Sequence, residues 1–236
     1  KKISPGLSNA KNEDNMWPTQ FKLLALDWDG TLADSVEPII RCKQFLAEKY
    51  SLDKPSKTLI RSVIGGGFND AMQRCFSTAS PDLLEKIKAQ YSQLMTTQDY
   101  RAHLFPGVKK LLLKLKESGV ILVVITSKKR LELEHELKRL DLKNTFDQTY
   151  CSEDWKPKPD PRMLNEALKH FNISKEHALM VGDTSYDIDM AKAAYVQPIA
   201  VSLGALDKKR IQELYPDIHI LDDWQKSELL SNLQLD

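Results

Sequence analysis

The chain contains 236 residues and carries a formal net charge of +1, from 34 Lys and Arg against 33 Asp and Glu. This balance argues against a protein that binds nucleic acid or an anionic membrane through bulk charge. The composition, with 42% apolar and 28% charged residues, is typical of a globular protein with a buried core. No apolar run is long enough to span a bilayer, and the first residues lack the apolar stretch of a signal peptide, so we expect a cytoplasmic location.

Taken in chain order, the elements indicated by the sequence alternate between strands and helices. Residues 1–19 are polar and predict a flexible arm. Apolar segments that end abruptly in a polar residue predict strands buried on both faces, and these segments cover 21–26, 120–125, 178–181 and 198–201. Leucines at helical spacing lie between them. The alternation predicts an α/β fold with a doubly wound, Rossmann-like parallel sheet.

One long interval departs from this alternation. Residues 34–103 contain only helical patterns, and they are too many for an ordinary crossover between two strands. We therefore predict an all-helical domain inserted into the α/β core, with the core formed by 20–33 and 104–236. The segment Gly65-Gly66-Gly67 inside the insertion predicts a flexible turn between helices, with a substrate-facing loop as the alternative.

Polar residues follow three of the predicted strands at the point where each strand ends. These residues are Asp27, Thr126 and Asp183. In an open parallel sheet the carboxyl ends of the strands meet at one edge, which is where ligands bind. Asp29 lies two residues after Asp27, and Asp187 lies four residues after Asp183, so both can face the same crevice. The sequence therefore predicts a functional site at this edge of the sheet.

Four carboxylates at one edge of the sheet would repel each other strongly unless a cation were bound among them. Their ligand atoms are all oxygens, and the absence of Cys-x-x-Cys pairs or spaced histidines argues against zinc. A site of this kind, built from few protein oxygens, favours Mg²⁺.

The order of these motifs resembles that of the haloacid dehalogenase (HAD) superfamily of phosphohydrolases. The chain has D-x-D-G-T-L at 27–32, a Thr after the second core strand, overlapping K-P-x-P matches at 156–161 and G-D-x-x-x-D at 182–187. The resemblance covers roughly residues 21–225 and is greatest to the phosphoglycolate-phosphatase-like branch, which carries a helical cap between the first two motifs. The inserted segment has the position of that cap.

The resemblance implies a role for each aspartate. Asp27 matches the nucleophile that forms an aspartyl-phosphate, and Asp29 matches the general acid and base. Asp27, the backbone carbonyl of Asp29 and Asp183 would hold Mg²⁺. Asp187 matches the acid that supports the metal from outside its direct ligands.

The resemblance also implies the residues that bind the phosphate. Thr126 matches a hydroxyl that contacts a phosphoryl oxygen, and the adjacent Ser127 is placed with it. The active-site lysine is either Lys158 or Lys156, because both satisfy the K-P-x-P pattern. The distance to the apolar segment that follows favours Lys158. Trp28 stands where the family commonly has a smaller apolar residue, which predicts a narrowed or reshaped mouth of the site.

These features predict a Mg²⁺-dependent phosphatase that acts on a small phosphorylated metabolite through an aspartyl-phosphate, with phosphoglycolate as the default substrate. A sugar phosphomutase of the same superfamily is one alternative. A non-catalytic module that binds a phosphorylated ligand is another. We expect no nucleic-acid or membrane partner, and a monomer or homodimer.

Overall fold

The computed structural model describes residues 21–227 and residue 229, so the predicted arm at 1–19 lies outside the described residues. The strands are β1 (Leu23–Leu26), β2 (Ala33–Asp34), β3 (His103–Leu104), β4 (Ile121–Thr126), β5 (Gln148–Cys151), β6 (Ala178–Gly182), β7 (Gln197–Val201) and β8 (His219–Leu221). Six of the strands in this part of the chain form one parallel sheet in the order β5-β4-β1-β6-β7-β8.

Helices separate most of these strands. They are α1 (Val36–Lys49), α2 (Lys57–Val63), α3 (Phe68–Cys75), α4 (Pro81–Leu94), α5 (Val108–Glu117), α6 (Arg130–Arg139), α7 (Arg162–Phe171), α8 (Ser185–Ala193) and α9 (Lys208–Leu214). Short 3₁₀ helices cover Lys175–His177 and Trp224–Lys226. None of the helices in the described part of the chain combines the length and the apolarity needed to cross a membrane.

The central strands are buried because apolar layers cover both faces of the sheet. Along β1, Leu24 and Leu26 pack into one hydrophobic cluster, whereas Leu23 and Ala25 pack into another on the opposite face. This alternation follows from the two-residue period of a strand. The apolar segments predicted as strands are therefore confirmed at β1, β4, β6 and β7.

The register of the sheet brings the ends of three strands to one level. Leu26 of β1 lies opposite Val124 of β4 and Val181 of β6. β1 ends at this level, and β6 and β4 end one and two residues beyond it, so the residues that follow the three strands leave the sheet near one another at its carboxyl edge.

The helices α1 to α4 form a separate layer above this edge. Their buried apolar residues make a hydrophobic cluster of their own, distinct from the clusters that flank the sheet. The short strands β2 and β3 pair antiparallel, with Asp34 opposite His103, and lead the chain into and out of this layer. The predicted α/β fold with an inserted helical cap is confirmed. Domain limits at residues 34 and 103 stay a prediction, which the pairing of β2 with β3 supports.

Trp28 does not narrow the site, which corrects the sequence-based expectation. The side chain is fully buried in the core beneath the sheet edge. Its ring packs edge-on against Phe146, with centroids 6.4 Å apart, and its Nε1 donates to Glu136 Oε2 at 2.5 Å. Trp28 lies between Asp27 and Asp29 in the sequence, and it is directed away from the crevice that they face.

Candidate active site

Asp27 is the first residue after β1, and its side chain is 2% exposed at the floor of the crevice between the sheet and the helical layer. Its Oδ1 accepts a hydrogen bond from Lys158 Nζ at 2.5 Å. The same nitrogen donates to Asp187 Oδ1 at 2.6 Å. One buried lysine therefore holds two carboxylates that come from different elements.

Lys158 reaches this position from the loop between β5 and α7, and its side chain is fully buried. Lys156, the other lysine of the motif, is 61% exposed and pairs with Asp160 at 3.4 Å. The structure thus brings Lys158, and not Lys156, to Asp27.

Asp183 directly follows β6 and is fully buried. Thr31 donates its hydroxyl to Asp183 Oδ1 at 3.0 Å, and the backbone N–H of Ala205 donates to Oδ2 at 2.6 Å. A Cβ atom at either Gly30 or Gly204 would overlap the Asp183 carboxylate. The two glycines therefore let the backbone approach this carboxylate more closely than any residue with a Cβ atom would allow.

Asp187 is fixed by the start of helix α8. Thr184 and Asp187 form a reciprocal capping box, in which Asp187 Oδ2 accepts from the Thr184 backbone N–H at 3.1 Å and from its hydroxyl at 2.7 Å. Such a box satisfies amide groups that would otherwise lack partners at a helix start. With Lys158 on its other oxygen, Asp187 is already engaged on both sides.

The three buried carboxylates of Asp27, Asp183 and Asp187 each offer an oxygen within 4.8 Å of the others. Burial raises the pKa of Asp27 to about 7, repulsion from Asp187 adds to the increase, and attraction to Lys158 opposes it. Burial, with repulsion from Asp27 and Asp187, holds the pKa of Asp183 well above its usual range. The site therefore has an excess of negative charge that a divalent cation would neutralise.

Asp29 and Thr126 lie on the side of the crevice nearest the helical layer. Asp29 Oδ2 forms an ion pair with Lys128 Nζ at 3.1 Å, whereas its Oδ1 is buried without a hydrogen-bond partner among the described residues. Thr126, at the end of β4, accepts from the Lys128 backbone N–H at 3.1 Å. Ser127 donates its hydroxyl to the carbonyl of Gly65 at 2.6 Å, so it joins the core to the cap.

Asp27, Asp29 and the segment 126–128 line a cavity of about 60 Å³ that lies between the core and the cap. The cap side is formed by residues of α1, α3 and α4 and by the segment 63–66, which includes Gly65 and Gly66. The glycine segment thus faces the site. This agrees with the alternative prediction of a substrate-facing loop and not with a turn that only connects two helices.

Sequence reasoning missed several residues that line this cavity. The polar ones are Lys43, Tyr91 and Glu132. A signal was present for Lys43, which lies four residues after Ile39 and therefore falls on the buried face of α1. A charged residue at an apolar position of an amphipathic helix indicates either an ion pair or a ligand site.

Comparison with known proteins identifies the family. Residues 24–201 match the haloacid dehalogenase-like hydrolases. The chain belongs to this family. It is 31% identical to the phosphoglycolate phosphatase of Vibrio cholerae over 212 residues, which cover 86% of this chain and 93% of the relative.

Two further relatives agree with this identification. A protein of Caldanaerobacter subterraneus subsp. tengcongensis, provisionally named pyrophosphatase PpaX, is 31% identical over 211 residues, which cover 89% of this chain and 94% of the relative. The crystal structure of a predicted phosphoglycolate phosphatase from Haemophilus somnus superposes with a TM-score of 0.81 at 25% identity, covering 91% of this chain and 99% of that one.

The HAD resemblance drawn from the motifs is therefore confirmed. The protein is an enzyme, a HAD-type phosphatase similar to phosphoglycolate phosphatases. A non-catalytic binding module is accordingly set aside.

Proposed function

We propose that this HAD-type phosphatase hydrolyses a small phosphomonoester in a Mg²⁺-dependent reaction through an aspartyl-phosphate on Asp27. The observation that carries this proposal is the Asp27 carboxylate, held by buried Lys158 at the floor of a small cavity that the cap covers. Phosphoglycolate is the default substrate, since similar proteins are named phosphoglycolate phosphatases.

In the first step, a carboxylate oxygen of Asp27 attacks the phosphorus atom. The Asp27 Oδ2 atom suits this role because Oδ1 is engaged by Lys158, while Oδ2 has only a distant contact, 3.4 Å, with the Thr31 hydroxyl. A bond forms between Oδ2 and phosphorus, and the bond between phosphorus and the leaving oxygen breaks.

Asp29 handles the proton in both steps. In its protonated form it donates a proton to the leaving oxygen as the ester bond breaks. The resulting carboxylate then takes a proton from a water molecule that attacks the aspartyl-phosphate, which releases inorganic phosphate and restores Asp27. Asp29 lines the cavity, and its Oδ1 atom lacks a hydrogen-bond partner among the described residues, so this oxygen keeps the capacity to carry the proton.

Two groups bind the phosphoryl oxygens in this proposal. Lys158 supplies positive charge next to Asp27, which lets an anionic substrate approach a carboxylate. The Thr126 hydroxyl, at the cavity wall, donates a hydrogen bond. Ser127 was predicted to share this role. Since its hydroxyl donates to the carbonyl of Gly65, Ser127 supports phosphate binding mainly by holding the cap against the core.

The donor set fits Mg²⁺, which prefers carboxylate and carbonyl oxygens. Asp183 Oδ1 keeps acceptor capacity, an oxygen of Asp27 lies within 4.8 Å of an Asp183 oxygen, and the backbone carbonyl of Asp29 follows two residues after Asp27. Asp187, already engaged by Lys158 and Thr184, suits the supporting role. The three buried carboxylates, whose oxygens lie within 4.8 Å of one another, are the main support for a bound ion. When bound, Mg²⁺ offsets the negative charge of the transferring phosphoryl group.

A sugar phosphomutase stays the alternative, and formation of an isomer in place of phosphate release would identify it. The cytoplasmic location and the monomeric or dimeric state stay predictions.

The proposal is tested by measuring phosphate release from a panel of phosphomonoesters, with and without Mg²⁺. We expect Asp27→Asn to abolish turnover, because the amide is not a nucleophile, while the circular dichroism spectrum is unchanged. Asp141→Asn is the matched control, since Asp141 is 95% exposed and remote from the cavity. Normal activity of Asp27→Asn, or isomer formation without phosphate release, would refute the proposal.

A further inference from the structure

Glu136 is a buried glutamate on helix α6 that the proposed reaction does not use. It is 5% exposed and shares the buried face of the helix with Leu133 and Leu137. A carboxylate at such a position costs folding free energy unless it is paired and hydrogen-bonded. The partners of Glu136 therefore indicate why a carboxylate stands at this position.

The first partner of Glu136 is the segment that carries the two catalytic aspartates. Glu136 Oε2 accepts a hydrogen bond from Trp28 Nε1 at 2.5 Å, and Trp28 lies between Asp27 and Asp29 in the chain. Trp28 is fully buried, and a buried indole N–H needs an acceptor. Because the acceptor is a carboxylate, this bond is stronger than one between neutral groups. Glu136 thus restrains the Trp28 ring and the backbone that leads to Asp29.

The second partner of Glu136 is Lys128, which contacts Asp29 directly. Lys128 is buried, and its Nζ pairs with Asp29 Oδ2 at 3.1 Å. Burial alone would lower the pKa of Lys128, but attraction to the nearby carboxylates, of Asp29, Glu136 and Glu132, raises it above the usual range. Glu136 is therefore one of the groups that stabilise the Lys128 ammonium next to Asp29.

The third partner, Arg139, connects Glu136 to the end of the cap. Arg139 Nη2 lies 3.7 Å from Glu136 Oε1 and donates to the carbonyl of Ala102 at 2.5 Å. Ala102 is 2% exposed and directly precedes β3, through which the chain leaves the helical layer. One guanidinium group thus contacts both the Glu136 carboxylate and the linker that returns the chain from the cap.

Asp27 is held independently of these contacts, whereas Asp29 is not. The backbone N–H of Asp27 donates to the carbonyl of Val181 at 2.9 Å, and its Oδ1 accepts from Lys158. For the Asp29 carboxylate, Lys128 is the one side-chain partner among the contacts of the described residues. Loss of Glu136 should therefore displace Asp29 more than Asp27.

We propose that Glu136 is a positioning residue for Asp29 and that, with Arg139, it connects this aspartate to the linker that returns the chain from the cap. The inference rests on the proposed phosphatase activity, in which Asp29 donates a proton to the leaving oxygen. Glu136 acts through Trp28 and Lys128.

The test compares two small phosphate compounds whose leaving groups differ in their need for a proton. The first is the best alkyl phosphate of the substrate panel, 2-phosphoglycolate by default. Its leaving oxygen takes a proton from Asp29 as the bond to phosphorus breaks. The second is acetyl phosphate, which releases acetate, a stable anion that needs no proton. The comparison uses kcat/KM, which reports formation of the aspartyl-phosphate and not the later hydrolysis, in which Asp29 acts as a base.

We expect Glu136→Leu to lower kcat/KM for the alkyl phosphate on the order of 30- to 100-fold, because a general acid must be correctly placed. For acetyl phosphate the decrease should be less than about threefold. Glu136→Gln keeps an acceptor for Trp28 Nε1 and should recover part of the loss. The matched control is Glu134→Leu, since Glu134 is an exposed glutamate of the same helix, and it should leave both values unchanged.

Arg139→Met tests the connection to the cap. We expect a decrease of about fivefold in kcat/KM for the alkyl phosphate, the effect of one charged hydrogen bond, and none for acetyl phosphate. The same kcat/KM as the wild type on the alkyl phosphate would overturn the connection to the linker.

A double variant separates positioning from folding. Glu136→Leu alone leaves the Trp28 N–H buried without its acceptor, whereas Glu136→Leu with Trp28→Phe removes both partners and should recover most of the Tm lost in the single variant. The selective loss on the alkyl phosphate should persist, because Asp29 is still not held. Recovery of this activity together with the Tm would overturn the inference, in favour of a purely structural role.

Failure of the inference differs from failure of the proposed function. If the wild type hydrolyses both compounds in an Asp27-dependent manner, and Glu136→Leu loses activity equally on both or on neither, only the inference fails. If the wild type releases phosphate from no alkyl phosphate, the proposed phosphatase activity fails and the inference fails with it.

Discussion

Gly65 controls how closely the cap approaches the core. Its φ is +88°, in the left-handed region that favours glycine, and a Cβ there would lie 2.5 Å from Thr184 Oγ1. Thr184 is buried and is held by the capping box of α8, so it has little freedom to move away. The glycine therefore allows cap backbone to rest on the helix that carries Asp187.

We predict that Gly65→Ala lowers kcat/KM about 10- to 100-fold, because a small displacement of the cap misplaces the groups around the substrate. The matched control is Gly119→Ala. Gly119 has a similar φ of +78°, but a Cβ there meets nothing within 4 Å. Both variants should lose about 1 kcal/mol of stability from backbone strain, as measured by urea unfolding. Similar activity in the two variants would contradict this role for Gly65.

At the residue scale, the sequence identified the groups that follow apolar strands. Asp27, Asp29 and Asp183 were found because a carboxylate stands out after a run of valines, leucines or isoleucines. Lys43 and Glu132 were not found, because both lie within helices where lysine and glutamate are ordinary surface residues. Their convergence depends on how the cap is oriented on the core, which local sequence does not determine.

At the element scale, helix α2 contacts the core through Arg61 and through the carbonyl of Ser62, which accepts from the Tyr186 hydroxyl at 3.5 Å. Arg61 Nη1 donates to the carbonyl of Gly204 at 3.2 Å, and Arg61 Nη2 pairs with Glu37 at 2.6 Å. Gly204 precedes Ala205, whose backbone N–H donates to Asp183. This contact therefore links the cap to the loop that surrounds the proposed metal site.

We predict that Arg61→Met lowers kcat/KM about fivefold, corresponding to about 1 kcal/mol for one partly exposed charged hydrogen bond. Lys57→Met is the control, because Lys57 also pairs with Glu37 but makes no contact with the core among the contacts of the described residues. That variant should change kcat/KM less than about twofold. Steady-state kinetics of both variants measure these effects on kcat/KM. Equal decreases in the two variants would mean that the loss comes from the ion pairs with Glu37 and not from the contact of Arg61 with the core.

The sequence predicts the interior strands of the sheet more clearly than the edge strands. The interior strands β1, β4 and β6 are continuous apolar segments because both of their faces are covered. The edge strand β5 reads Gln-Thr-Tyr-Cys, and the other edge strand, β8, has only three residues. Neither carries a clear pattern, because an edge strand has a neighbour on one side only and is partly exposed. The sequence therefore predicts the centre of the sheet better than its borders.

At the scale of the whole molecule, the carboxylates that would bind a metal ion lower the stability of the folded chain when no ion is bound. Asp27, Asp183 and Asp187 lie together in the interior, and Lys158 compensates only part of their charge. A folded chain without a cation carries this repulsion, and a cation that binds the folded state relieves it. The proposed metal should therefore act on the unfolding temperature as well as on turnover.

We predict that Mg²⁺ at about 100 times its Kd raises the Tm of the wild type by about 5–10 °C, corresponding to about 2.7 kcal/mol. Asp183→Asn should be more stable than the wild type without Mg²⁺, because one buried charge is removed, and its Tm should not respond to Mg²⁺. Differential scanning calorimetry with a chelator and with Mg²⁺ measures both effects. A response to Mg²⁺ in Asp183→Asn equal to that of the wild type would place the ion elsewhere.

The pairing of β2 with β3 has a consequence for exchanging the helical layer of this protein. Because Asp34 lies opposite His103, the two ends of the helical layer leave the sheet next to each other. A linker of a few residues could join these two positions without altering the register of the parallel strands. Hybrids that combine this core with the helical layer of a relative would therefore need only two junctions, which lie next to each other at Asp34 and His103.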